Sequence, residues 1–151
     1  MGAIVERIRA AHEEAVVQRC AERRCECDLT GVGHVVILKG ELVRRGTSIC
    51  DCLVFRNGGQ EVHVGVVELK SRTVDADEVV TKLQNGSQAA LEVLRQNSGG
   101  QPRYKMCCVV LCLGWSTTEF RVVTSRRIHV DGRRVEIHAK RCGFALGSLF
   151  Q

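Results

Sequence analysis

Two apolar runs joined by a turn constrain this chain more than any other feature. Residues 48–55 and 61–70 are rich in Val, Leu, Ile and Phe, and Asn57-Gly58-Gly59 between them is a strong hairpin signal. Each run also carries charge among its aliphatic residues. Side chains alternate faces along a strand, so Glu68 and Lys70 share a face with Val62, Val64 and Val66, while Leu69 points the other way. On the preceding strand Ile49, Asp51, Leu53 and Phe55 share a face, and Asp51 is its one charge. Paired through the turn, the strands bring Asp51 near Glu68, with a bulge or a slip of a residue or two to match them. Two carboxylates in a half-buried site repel each other and lose hydration, and a divalent cation is the ordinary remedy. Oxygen ligands suit Mg2+ or Mn2+, and an amine two residues beyond the acid can orient a water or steady charge on a phosphate. The plain alternative is a salt bridge between Asp51 and Lys70.

Around this hairpin the pattern alternates between helical and strand periods. Ile4, Ile8, Ala11 and Ala15 recur at helical spacing, which predicts a helix running to about Arg24. Residues 34–38 form a short β-rich run after a glycine loop. The acidic cluster Asp75-Ala76-Asp77-Glu78 suits a helix start, and Val80, Leu83, Ser87, Leu91 and Leu94 carry the period across residues 75–95. Residues 97–102 read as loop, 106–113 as a buried strand and 120–124 as another strand. Ile128, Val130, Val135 and Ile137 flank Asp131-Gly132 as a second hairpin. This order predicts one domain over residues 1–151, an α/β sandwich with a central mixed sheet flanked by helices.

Aromatic residues make up only 4% of the chain, so its core rests on aliphatic side chains and cysteine. Lys and Arg outnumber Asp and Glu by 22 to 17, a lean toward polyanionic partners. No segment approaches the roughly 18 consecutive apolar residues of a membrane span, and the amino terminus turns polar at once. The expected location is therefore cytoplasmic, with no membrane partner. There, the nine cysteines would be reduced thiols packed as small hydrophobes. Structural zinc is the alternative, through Cys20, Cys25 and Cys27 or Cys107, Cys108 and Cys112, although neither group has the Cys-x-x-Cys gap. Arg126, Arg127, Arg133, Arg134, Lys140 and Arg141 surround the last hairpin. They serve there either as a phosphate-backbone grip or as a charged guard on a sheet edge. Trp115 either stacks on a base or caps the core. His129 and His138 have no fixed spacing to another ligand and read as surface residues.

Asp51, followed after a turn by Glu68-Leu69-Lys70, resembles the Asp … Glu-x-Lys signature of the PD-(D/E)xK nuclease superfamily. The resemblance covers about residues 3–113 and includes the order helix, three strands, helix, strand. The signature's proline is missing, since Cys50 precedes Asp51. The resemblance implies a restriction-endonuclease-like fold and an endonuclease-like phosphodiester hydrolase using Mg2+ or Mn2+. It implies metal ligation by Asp51, Glu68 and the Leu69 carbonyl, with Lys70 serving the attacking water. It also implies a residue from the following helix, where Gln84 is the choice and Lys82 and Gln88 are the alternatives. A glutamate from the leading helix joins the site in some members, and Glu13, Glu14 and Glu22 are candidates. The implied partner is nucleic acid, DNA ahead of RNA, met by a homodimer or a module of a larger assembly in defence or DNA processing. A fold relative that binds nucleic acid or protein without cutting is the second hypothesis.

Overall fold

The hairpin predicted around Asn57-Gly58-Gly59 forms the centre of a seven-stranded mixed sheet. In the computed structural model, which describes residues 2–151, helix α1 (Gly2–Ala11) leads into a 3-10 turn and strand β1 (Val16–Val17). A small hairpin follows, β2 (Cys20–Glu22) and β3 (Cys25–Cys27). Next come β4 (Val35–Lys39), the one-turn helix α2 (Gly40–Val43), β5 (Cys52–Asn57), β6 (Val62–Lys70), the long helix α3 (Ala76–Asn97) and β7 (Tyr104–Cys112). Helix α4 (Thr117–Ser125) and the hairpin β8 (Arg127–Val130) and β9 (Arg133–Arg141) complete the chain before a terminal 3-10 turn. The strand order is β1-β4-β5-β6-β7-β9-β8. β4, β5 and β6 are antiparallel neighbours, while β7 lies parallel to β6 and β9 parallel to β7.

Among the described residues, helices cover one face of this sheet only. Ile4, Val5 and Ile8 from α1, Val79, Leu83 and Leu94 from α3, and Val123 from α4 join Leu53, Phe55, Val64, Val66 and Val110 in one apolar core. Val54, Val67, Leu69, Val109 and Leu111 point the other way and meet Leu146 and Phe150 from the carboxyl-terminal segment. The expected helical cover on both faces is thus replaced on the second by β2–β3 and the chain's end. Two disulfides fasten that cover, Cys20–Cys52 and Cys25–Cys142. This corrects the expectation of nine thiols, since Cys27, Cys50, Cys107, Cys108 and Cys112 remain free and all are buried. Spacing along the chain says nothing about which sheet face a cysteine meets, and 32 and 117 residues separate the bonded pairs. Among the described residues, no helix is long and apolar enough to cross a membrane.

Three local expectations fail for identifiable reasons. The leading helix stops at Ala11, because the β-branched pair Val16-Val17 joins the sheet edge opposite Ile37 and Leu38. Residues 120–124 are helical, since Ser116 caps α4 by accepting from the Glu119 amide at 3.1 Å. Ser116-Thr117-Thr118-Glu119 has the spacing of a capping box, which outweighs the strand preference of Val122 and Val123. No bulge is needed in the central hairpin: the register runs unbroken from Asn57↔Val62 to Cys52↔Val67, because the loop holds four residues rather than a two-residue turn.

Candidate active site

Cys52 pairs with Val67, so the next position outward sets Asp51 against Glu68 on the helix-covered face. Asp51 lies just before β5, held by its neighbours on both sides. Its main-chain oxygen accepts from the Gly40 amide at 2.9 Å, the Cys50 amide donates to the Lys82 carbonyl at 3.2 Å, and Asn85 Nδ2 donates to the Ser48 carbonyl at 2.7 Å. Two glycines let the flanking backbones approach this closely. A Cβ on Gly40 would lie 1.9 Å from the Cys50 oxygen, and one on Gly86 would lie 2.4 Å from Cys50 Sγ. The Asp51 carboxylate is in turn oriented by the Leu69 amide, which donates to Oδ2 at 2.7 Å.

Glu68 is only 1% exposed. Its Oε2 stands 3.5 Å from both Lys70 Nζ and Lys82 Nζ, and its Oε1 is buried with no hydrogen-bond partner. Glu78, one turn before Lys82 on α3, reaches both amines, with Oε1 at 2.6 Å from Lys70 Nζ and 3.2 Å from Lys82 Nζ. Two acids and two ammonium groups therefore close a ring, with Asp51 beside it. Burial pushes the Glu68 carboxyl up to about 8, the Asp51 charge adds to that, and Lys82 and Lys70 pull against it. Glu78 is held below its ordinary value by the hydrogen bonds from Lys70 and Lys82. Lys82 is held above its ordinary value: burial works against its charge, and Glu68 and Glu78 outweigh burial.

The ring opens into a cleft of about 600 Å³ lined by Asp51, Glu68, Lys70 and Lys82, with Lys39 and Arg72 at its rim. Leu69 also lines it, as its place between the two charged positions requires. Two carboxylates, one of them with an orphaned buried oxygen, fit a hard divalent cation in donor chemistry. Among the described residues, no group of three or more His, Cys, Asp or Glu side chains converges, so such an ion would take its remaining ligands from main chain and water. Zinc held by the cysteine groups has no such convergence to rest on, and Cys20 and Cys25 are spent in disulfides.

The other sequence candidates divide. Gln84 lies away from the acids: Nε2 donates to the His129 carbonyl at 2.5 Å and Oε1 accepts from the His129 amide at 3.0 Å. It caps the outer edge of β8, and two positions of helix rotate it off the face that Lys82 presents to the cleft. Gln88 is exposed and does not line the cleft. Of the three glutamates, Glu22 lines the cleft from the β2–β3 turn, while Glu13 and Glu14 sit in the exposed 3-10 turn. The basic residues do not form one patch. Arg126, Arg127 and Arg134 share a hollow beyond α3 with His129, Arg133 stacks on Tyr104 at 4.2 Å, and Lys140 lies over Phe144 at 5.4 Å. Glu78 was not anticipated, although its i,i+4 spacing to Lys82 places both on one helical face. Compared with models of known protein families, with curated proteins and with solved structures, the chain matches none.

Proposed function

We propose that the chain is a metal-dependent nuclease of restriction-endonuclease-like fold that hydrolyses phosphodiester bonds in nucleic acid, with DNA as the substrate. One observation carries the reading: two acids from adjacent antiparallel strands meet at one point, one of them with a buried unpartnered oxygen, and a lysine follows two residues on. The succession α1, β4, β5, β6, α3, β7, with the first three strands antiparallel and the last parallel, supports it at the level of fold.

Asp51, Glu68 and the Leu69 carbonyl would hold Mg2+ or Mn2+, which when bound neutralises phosphate charge and lowers the pKa of a coordinated water. The remaining work falls to side chains of the chain itself. Lys70 donates hydrogen bonds toward the water or a phosphate oxygen, and Glu78 holds its Nζ in place between turnovers. Lys82 offsets the charge of Glu68 from the opposite side. Lys39 and Arg72 at the rim raise the local concentration of a polyanion.

The test is incubation of the full chain with plasmid and single-stranded DNA in Mg2+ or Mn2+. Cleavage is expected, and Glu68→Gln or Lys70→Ala should slow it by at least about 100-fold. Calorimetric Mn2+ binding should disappear in Asp51→Asn. Cleavage that persists unchanged in Glu68→Gln belongs to a contaminant and overturns the reading. A second reading, a nuclease fold that binds without cutting, draws on one feature: the Lys82 ammonium already balances Glu68 as a cation would. DNA binding with no metal-dependent cleavage and no Mn2+ uptake would favour it.

A further inference from the structure

β6 and β7 run parallel, with Lys70 opposite Cys112, and leave the sheet side by side. Residues 71–73 and 113–116 therefore form one rim beyond their carboxyl ends, where ligands of open α/β sheets bind. Ser71, Arg72 and Thr73 line the cleft described above and also a second hollow of about 530 Å³, whose far wall includes Gly114, Trp115 and Ser116. The two lie side by side along this shared lip.

The contents of the second hollow are specific. The Arg72 carbonyl accepts from Cys112 Sγ at 3.1 Å, so the loop is anchored through its backbone while the guanidinium is left exposed. Arg72 belongs to none of the ion pairs among the described residues, and it stands at most ~7 Å of chain from Lys70. The carboxylate of Glu119, also in the hollow, is already committed to the Val74 amide at 3.0 Å. Trp115 is half-buried against the helix-side core, and its Nε1 donates to the Lys140 carbonyl at 2.7 Å. Phe120, 43% exposed, meets it edge-on with centroids 6.0 Å apart. The indole is thus tethered through Nε1 and set perpendicular to the Phe120 ring, in a fixed orientation in the same hollow as the exposed Arg72.

We propose that this hollow is a base-stacking subsite. It takes an unpaired base of the DNA strand whose phosphodiester lies at Asp51 and Glu68, with Arg72 on a neighbouring phosphate. A base inside a duplex has both faces stacked and reaches an aromatic platform only by leaving the helix. The substrate class is then DNA with an unpaired nucleotide beside the cut: single-stranded, flapped or branched. The inference rests on the nuclease reading of the cleft for its scissile bond, and on Trp115 and Arg72 for the rest.

Trp115 is the only tryptophan in the chain, so its emission reports this one position. The full chain carrying Glu68→Gln, titrated with a thymidine oligomer and with a blunt duplex of equal length, gives the readout, and anisotropy of a labelled strand follows binding independently. The oligomer should quench Trp115 and the duplex should bind without quenching. Trp115→Ala should weaken oligomer binding by at least about fivefold, and Trp115→Phe should keep most of the affinity. No oligomer binding, no quenching at saturation, or equal quenching by both DNAs overturns the subsite. If Trp115→Ala fails to fold, the quenching comparison in the parent protein decides alone. Quenching by the oligomer in a protein that cuts nothing leaves the subsite standing and removes the nuclease reading, whereas metal-dependent cleavage without quenching removes the subsite alone.

Discussion

Glu68 concentrates the chemistry of the cleft in one carboxyl that its surroundings push toward the neutral form. Unfolded, it titrates near its ordinary 4.5; folded, it holds its proton to about 8. Between those values the folded state binds a proton that the unfolded chain has released, so stability falls as pH climbs from about 4.5 to about 8 and levels beyond. Metal-free protein should therefore melt at a lower temperature at pH 8.5 than at pH 6. This group contributes a difference on the order of a few kcal/mol. Glu68→Gln should flatten that slope, and a slope unchanged in the variant would refute the assignment. Added Mn2+ should restore stability on the alkaline side, because a cation takes the place of the proton. Glu78 acts with the opposite sign: held below its ordinary value, it loses its contribution as pH falls through the acid range.

Helix α3 does two jobs with neighbouring side chains. Lys82 lines the cleft with Glu78 paired to it one turn earlier, while Gln84 turns outward and satisfies both main-chain groups of His129 on the edge strand. A free strand edge invites pairing with another chain, and a side-chain amide laid along it blocks that pairing. Gln84→Ala should cost about 1–2 kcal/mol in denaturant unfolding and leave Mn2+ affinity unchanged. An effect on metal binding without an effect on stability would return Gln84 to the site. The helix reaches the sheet only because position 86 carries no side chain. Gly86→Val would drive a Cβ to 2.4 Å from Cys50 Sγ and 3.0 Å from Val66 Cγ1. A loss of about 1–3 kcal/mol is expected, with weaker Mn2+ binding as Lys82 and Asp51 shift apart. Wild-type melting and metal affinity in that variant would show that the contact relaxes freely.

On the scale of the molecule, the sheet is covered asymmetrically, and the weaker cover is the one with covalent fastening. β2 and β3 hold three residues each, too few to stand alone, yet they carry Glu22 and Arg23 to the cleft. Cys20–Cys52 ties this hairpin to the residue after Asp51, and Cys25–Cys142 ties it to the end of β9. Denaturing the unreduced protein and alkylating it should label five cysteines, and nine after reduction. Reduction should lower stability by about 2–4 kcal/mol per bond. Nine labelled thiols without reduction would contradict the bonded pairs. Such bonds persist in oxidising compartments and in the cytoplasm of some hyperthermophiles, and a strongly reducing cytoplasm would open them.

Local sequence determined the elements whose signals are short-range. The turn at Gly58 and Gly59, the alternation along β6, the start of α3, where Asp75 Oδ1 accepts from the Glu78 amide at 3.2 Å, and the Asp131-Gly132 hairpin each depend on residues a few positions apart. Propensity and steric limits act over that distance. That Asp51 comes near Glu68 was legible from strand alternation and a turn, whereas the unbroken register that sets them opposite each other was not, because it depends on the length of the loop. What only the tertiary structure decided were contacts between distant segments. The helix-face position that meets the acids is Lys82 rather than Gln84 because the rotation of α3 is set by Gly86 against Cys50. Glu22 reaches the cleft because a hairpin folds over the second face of the sheet. Four cysteines become bridges because that hairpin lands against β5 and the end of β9. These depend on how packed faces meet, and nothing in the spacing along the chain encodes a meeting between residues tens of positions apart.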